Sequence, residues 1–274
     1  MSTAAIHGDL LGTIVAATRR IVEVREAARP AAVLAREQQR EPRGKAFESA
    51  LTGATGFGAT LPQSARIIAE CKRRSPSKGI LRERYDPASH ARAYADAGAA
   101  AISVLTEPTF FDGDPRHLRD VRAAVDVPLL RKDFIVSEYQ LIEAAVLGAD
   151  AALVIVGALE QADLARLVRA SEALGLASLV EVHDVAEMER AVDAGARIIG
   201  VNSRNLRTLA VDLGVLDAVA ERLPGDVTAV AESGIRSPED LSRLGAAGYD
   251  AFLVGERLIA QPDPGAALRE LCGR

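Results

Sequence analysis

Leu129-Leu130-Arg131-Lys132-Asp133-Phe134-Ile135 is an apolar run that closes on a lysine and an aspartate and then turns apolar again. A short strand that ends this way carries an ammonium group to the rim of a sheet. Three further stretches repeat the pattern. Arg66-Ile67-Ile68-Ala69-Glu70-Cys71-Lys72 delivers Glu70 and Lys72, Ala177-Ser178-Leu179-Val180-Glu181 delivers Glu181, and Val227-Thr228-Ala229-Val230-Ala231-Glu232 delivers Glu232. Side chains alternate faces along a strand, so Glu70 and Lys72 point one way and Cys71 the other. Cys71 therefore reads as a small buried hydrophobe.

Working outward, strand-like runs recur at 66–71, 100–105, 127–132, 151–156, 177–182, 197–202, 227–232 and 250–254. Each is rich in Val, Ile, Leu and Ala, as strands covered on both faces are. Amphipathic stretches such as Asp163-Leu164-Ala165-Arg166-Leu167-Val168-Arg169 lie between them. Asp86-Pro87, Ser137-Glu138 and Ser237-Pro238-Glu239-Asp240 mark helix starts. Gly98, Gly148, Gly195 and Gly248 fall where helices close before every second strand, a weak internal repeat. Eight such units over roughly 210 residues predict an α/β fold, a closed parallel (β/α)8 barrel. An open doubly wound sheet would carry a GxGxxG turn after its first strand. The chain instead reads Lys72-Arg73-Arg74-Ser75-Pro76-Ser77-Lys78-Gly79 there. In a barrel, alternate strands fill one layer. Strands one, three, five and seven then bring Glu70, Lys72, Lys132, Glu181 and Glu232 together at the mouth.

Residues 1–60 predict a helical extension packed on the barrel of residues 61–274, within one domain. Leu10, Leu11, Ile14, Val15, Thr18, Ile21 and Val22 recur at helical spacing. Pro30 opens a second helix running through Arg40, and a third covers Lys45 to Leu51. Gly53-Ala54-Thr55-Gly56-Phe57-Gly58 reads as a connection, because no strand precedes it and no GK[ST] follows.

The 274 residues are 49% hydrophobic but only 4% aromatic, without Trp, so the core is built from Ala, Val, Leu and Ile. A net charge of −5 gives no electrostatic reason to expect nucleic acid or an anionic membrane as partner. Apolar runs fall short of a membrane span. Arg19-Arg20 follow the first apolar stretch instead of preceding it, so no signal peptide is read. Two cysteines, Cys71 and Cys272, without CxxC or a His at zinc spacing, fit a reduced cytoplasmic protein with no metal.

The strand ends supply a chemical inventory. Asn202, Ser203 and Arg204 close the sixth strand, Ser233-Gly234 follow the seventh and Gly255-Glu256 the eighth. Glycine-containing turns after the last two strands expose backbone N–H groups where many barrels hold a phosphate. The substrate class is thus a phosphorylated small anion. Crowded lysines lower each other's pKa and neighbouring carboxylates raise it, and the pattern leaves open which wins at Lys132. Asp133 should point away from Lys132 and serve structure. His183 reads as a loop hydrogen-bonding group, with substrate contact as the alternative.

Ile68-Ala69-Glu70-Cys71-Lys72-Arg73-Arg74-Ser75-Pro76-Ser77-Lys78-Gly79 resembles the first-strand signature of the indole-3-glycerol-phosphate synthase family. Leu130-Arg131-Lys132-Asp133-Phe134-Ile135 resembles its third, Leu179-Val180-Glu181-Val182-His183 its fifth, and Ile199-Gly200-Val201-Asn202-Ser203-Arg204-Asn205-Leu206 its sixth. Glu232-Ser233-Gly234-Ile235 and Leu253-Val254-Gly255-Glu256 resemble the seventh and eighth. The likeness runs in order from about residue 10 to the end. It implies a TIM barrel whose N-terminal segment helps cover the mouth. It also implies a cofactor-free and metal-free conversion of 1-(2-carboxyphenylamino)-1-deoxyribulose 5-phosphate to indole-3-glycerol phosphate, in tryptophan biosynthesis.

By resemblance, Lys132 is the general acid on the ribulose carbonyl and Glu181 shuttles a proton in the dehydration. Lys72 binds the substrate carboxylate and assists acid catalysis, and Glu70 stabilises a cationic intermediate or acts as a base. Asn202 and Ser233 hold hydroxyls, with Arg204 supporting charge nearby. Ser75, Gly234 and Gly255 line the phosphate pocket, Phe134 and Leu153 pack on the aromatic ring, and Glu232 and Glu256 complete the binding set. Cys71 and Leu209 depart from the family pattern in packing. A monomer, or at most a weak homo-oligomer, is expected. Two other readings stay open: a Schiff-base phosphosugar aldolase using Lys132, and a non-catalytic phosphosugar-binding barrel.

Overall fold

A computed structural model describes residues 9–52 and 65–274. The glycine-rich run at 53–58 lies outside the described residues. Eight parallel strands form the centre: β1 (Arg66–Cys71), β2 (Ala101–Leu105), β3 (Leu129–Lys132), β4 (Ala151–Ile155), β5 (Ala177–Val182), β6 (Ile198–Asn202), β7 (Thr228–Glu232) and β8 (Ala251–Val254). The sheet closes because β1 pairs with both β2 and β8. Every strand lies within two residues of its expected bounds at either end. The (β/α)8 barrel read from the sequence is the fold.

The helices are α1 (Leu10–Ala28), α2 (Ala31–Ala35), α3 (Gly44–Thr52), α4 (Pro87–Asp96), α5 (Pro115–Ala124), α6 (Glu138–Val146), α7 (Gln161–Ala173), α8 (Val185–Asp193), α9 (Gly214–Ala220), α10 (Pro238–Ala246), α11 (Glu256–Ile259) and α12 (Pro264–Leu271). Asp86 caps α4 through Ala88 N and Ser89 N, and Ser237 with Asp240 forms a capping box on α10. Ser137 makes no cap bond. Gln140 takes over that entry turn: its Oε1 accepts from Val136 N at 2.8 Å and its Nε2 donates to Phe134 O at 3.0 Å. Gly98, Gly148, Gly195 and Gly248 all have positive φ as expected, but so does Gly175 before the fifth strand, which breaks the supposed twofold repeat.

Strand parity builds two apolar shells. Ile68, Leu130, Leu179 and Val230 face the barrel interior. Ala69, Leu129, Val180 and Ala229 face the helices, as does Cys71. The same parity carries on to the next inward positions, Glu70, Lys132, Glu181 and Glu232, at the carboxyl ends.

The N-terminal segment departs from expectation in two ways. The second helix stops at Ala35, short of Arg40. The extension also reaches both ends of the barrel: α1 starts at the mouth, as expected, with Leu11 against Gly157 after β4, and α3 ends beneath the barrel. Asp9, the N-cap of α1, pairs with Arg207 beside the mouth. From there α1 and α2 run along α6, with Val22 and Leu34 packed on Tyr139. The chain then turns under the barrel. Asp150, fully buried, accepts from Arg43 N at 2.9 Å, Leu129 N at 3.0 Å and Arg40 Nη2 at 3.0 Å. α3 follows, and Gly44 N donates to Gly175 O beside the start of β5. Phe47 and Leu51 insert into the interior shell and close the floor. Gly44 is required there, since a Cβ would lie 2.6 Å from Ala177 N.

Candidate active site

The mouth opens into a cavity of about 480 Å³. All of the residues singled out from the sequence line it: Glu70, Lys72, Ser75, Lys132, Phe134, Glu181, Asn202, Arg204, Glu232, Ser233, Gly234, Gly255 and Glu256. At its centre the Lys132 ammonium donates to Glu232 Oε2 at 2.8 Å and to Glu181 Oε2 at 3.1 Å. Three strands thus contribute to one cluster. Lys72 pairs with Glu70 at its edge.

The charges settle what the sequence left open. Burial works against the Lys132 charge, but Glu181, Glu232 and Glu70 outweigh it and hold the ammonium above its usual range. Burial also opposes ionisation of Glu181, yet Lys132, His183 and Asn202 hold it ionised, below the ordinary carboxylate range. Glu232 goes the other way: burial, reinforced by the neighbouring Glu181 charge, pushes it up despite Lys132. Its Oε1 has no hydrogen-bond partner. Two buried carboxylates sharing one ammonium are driven apart in this manner. Gly200 on β6 makes the room, because a Cβ there would lie 2.2 Å from Glu232 Oε1. Gly255 does the same for Glu70, again at 2.2 Å.

Asn202 Nδ2 donates to Glu181 Oε1 at 3.1 Å, while its Oδ1 accepts from Arg204 N at 3.0 Å. Arg204 also donates to Leu209 O at 3.1 Å and faces Glu256, which Lys78 faces from the loop after β1. That loop folds as a short hairpin, Arg74–Ser75 against Gly79–Ile80, which brings Ser75 to the cavity. Ser233 and Gly234 both adopt left-handed backbone, φ 65 and 75, turning the chain sharply over the end of β7. Leu209, also left-handed at φ 62, lines the cavity, so its departure from the family pattern falls on the wall itself.

Asp133 is structural, as expected. Its Oδ2 accepts from Thr106 Oγ1 at 2.6 Å and Arg131 Nη2 at 2.9 Å, and its Oδ1 from Phe134 N at 2.9 Å. Arg131, wholly buried on the helix side, also pairs with Glu143 of α6 at 2.6 Å. His183 does not line the cavity, and its backbone N–H and ring Nδ1 both meet Glu187 Oε2, as the loop hydrogen-bonding reading expects.

Several wall residues were not singled out from the sequence. Phe111 packs on Phe134 with ring centroids 6.1 Å apart. Its loop is shaped by buried Glu107, whose carboxylate accepts from the backbone of Thr109, Phe110 and Phe111 at 2.7–3.0 Å. Two adjacent Phe in a chain with six were the available signal. Arg236 and Arg257 bring cations to the Gly234–Gly255 end. Nothing in a run of scattered arginines distinguished them.

Comparison with known proteins agrees with this arrangement. A family model for indole-3-glycerol phosphate synthase matches residues 11–271. The indole-3-glycerol phosphate synthase of Micrococcus luteus is 48% identical over 261 residues, covering 95% of this chain and 96% of that one. The synthase of Carboxydothermus hydrogenoformans is 52% identical over 206 residues, covering 75% of this chain and 78% of that one. A solved 3-hexulose-6-phosphate synthase matches in fold alone, with a TM-score of 0.61 at 17% identity, covering 76% of this chain and 98% of that one. With the family model spanning nearly the whole chain and near-full-length relatives at about half identity, the protein belongs to the indole-3-glycerol phosphate synthase family.

Proposed function

We propose that the protein is an indole-3-glycerol phosphate synthase, a carboxy-lyase that closes the indole ring of 1-(2-carboxyphenylamino)-1-deoxyribulose 5-phosphate with loss of carbon dioxide and water. The observation that carries this is the Lys132 ammonium bridging Glu181 and Glu232 at the mouth, beside an apolar wall of Phe134, Phe111 and Leu153. The apolar wall takes the benzene ring. Ser75 and the Gly234 and Gly255 turns, with Arg236 and Arg257, take the phosphate. Held at both ends, the guest is bent so that its ring carbon meets the ribulose carbonyl, which is a positioning task. Lys132 gives its proton to that carbonyl oxygen as the carbon–carbon bond forms.

Positive charge then rests on the nitrogen-conjugated ring system, and Glu70 and the ionised Glu181 stabilise it. Lys72 holds the substrate carboxylate until it leaves as carbon dioxide. Dehydration follows: Lys72 or Lys132 protonates the departing hydroxyl, and Glu181 takes the ring proton. Asn202 and Ser233 bond the remaining hydroxyls, and Arg204 and Glu256 fix the loop above them. A lysine held charged by three carboxylates is a poor amine nucleophile, which favours the acid role over a Schiff base. Both cysteines are free and buried, in keeping with a reducing cytoplasm.

The test is steady-state assay with the named substrate, following the fluorescence of the indole product. Turnover is expected from the wild type and not from Lys132→Met. A folded wild type that yields no indole overturns the proposal. A borohydride-trapped adduct at Lys132 with a phosphosugar would turn it toward an aldolase.

A further inference from the structure

The loop after β5 carries a histidine for which the proposed chemistry has no use. His183 stands directly behind Glu181, away from the cavity. Its Nε2 lies 3.3 Å from Glu181 Oε1, within ion-pair range though off-line for a hydrogen bond. On its other side Nδ1 meets Glu187 Oε2 at 3.0 Å, and that same oxygen accepts the His183 backbone N–H at 2.8 Å. Glu187 is itself fixed. It lies in the first turn of α8, where Asp184 accepts its backbone N–H at 2.8 Å. A helix start thus holds a carboxylate, the carboxylate holds an imidazole, and the imidazole backs Glu181.

The two oxygens of Glu181 are consequently in different company. Oε1 faces Asn202 Nδ2 and His183 Nε2, while Oε2 faces Lys132. We propose that His183, clamped by Glu187, is a positioning residue that pins Glu181 Oε1 from behind and leaves Oε2, beside Lys132, as the oxygen that exchanges a proton with the substrate. This rests on the reading of Glu181 as the proton-exchanging carboxylate. The charged groups facing His183 are Glu181 from β5 and Glu187 from α8. Burial alone would discharge the ring, but those two carboxylates raise its pKa to about 10, so it is an imidazolium at neutral pH. A cation fixed behind a carboxylate keeps it ionised and keeps it from rotating, and it does so without touching the guest.

The experiment combines kinetics with histidine NMR on the whole protein. His183→Gln keeps a donor but loses the charge. It should fold as the wild type does and keep KM within about twofold. Its kcat should fall about tenfold, a part of what a well-placed acid–base group contributes. Glu187→Gln should move the alkaline fall of kcat to lower pH, because His183 then has one carboxylate fewer to hold its proton. The imidazole resonance that vanishes in His183→Gln should, in the wild type, titrate far above the ordinary value of 6.5. An active wild type whose His183 titrates near 6.5, or whose kcat and pH profile survive both substitutions, overturns the positioning role alone. A wild type that makes no indole product overturns the functional reading and the positioning role with it.

Discussion

Lys132 is the residue on which the mouth turns. Replacing it by Met removes the proposed acid and leaves Glu181 and Glu232 facing each other. Turnover should fall by at least about 100-fold in a steady-state assay, while circular dichroism stays that of the wild type, because the side chain is a rim group. Gly200→Ala probes the space behind it. A Cβ 2.2 Å from Glu232 Oε1 forces that carboxylate off Lys132, so thermal unfolding should show a loss of about 1–3 kcal/mol together with lower kcat. Glu232 also predicts a pH dependence. Its folded pKa is raised, so between the unfolded value of 4.5 and the raised one the native state holds a proton that the unfolded chain lacks. Stability therefore declines as pH rises through that window. Glu232→Gln cannot lose that proton, so its unfolding midpoint should drop less than the wild type's between about pH 6 and about pH 9. These inward charges were legible in the sequence because a period of two fixes the facing of Glu70, Lys132, Glu181 and Glu232 once the strand is placed. Gly200 was not, since a glycine in a strand says nothing about which distant side chain needs its volume.

At the scale of elements, strands were legible to within two residues and the third helix to within one, while the end of the second helix was not. Barrel strands are short apolar runs bounded by charge, a pattern carried locally. The early end of α2 is set by tertiary contacts. Asp150, a strand-leading aspartate like Asp250, gave no hint that it gathers Arg40, Arg43 and Arg122. Asp150→Ala strips these arginines and two backbone N–H groups of their acceptor, and the expected cost is about 3–5 kcal/mol by denaturant titration. Phe47→Ala opens the floor. Its ring is wholly buried, so a loss of about 3–5 kcal/mol is expected, with the cavity groups still in place and KM little changed. Arg131 was given no role in the sequence reading. Parity sends it outward, where Asp133 and Glu143 neutralise it.

For the molecule as a whole, closure of the sheet converts eight separate strand ends into one ring, and this much the alternation of runs foretold. The resemblance implied that the N-terminal segment helps cover the mouth, and the amphipathic stripe on α1 gave no sign that the same segment would also reach the floor. The structure sets the start of α1 beside the mouth, where Leu11 meets Gly157, and puts α3 beneath the barrel. A guest bound there stabilises only the folded chain. Saturating phosphorylated substrate analogue, at about 100 times its Kd, should add about 2.7 kcal/mol to unfolding, and Lys132→Met should reduce that gain. The seated plug of Phe47 and Leu51 has one more consequence. Among the described residues, the interior below the ring of charges is filled chiefly by hydrocarbon from Ile68, Leu130, Leu179, Val230, Phe47 and Leu51, so the floor is plugged. Substrate, water, carbon dioxide and finished product share one threshold, and each catalytic round must empty through the opening by which it was filled.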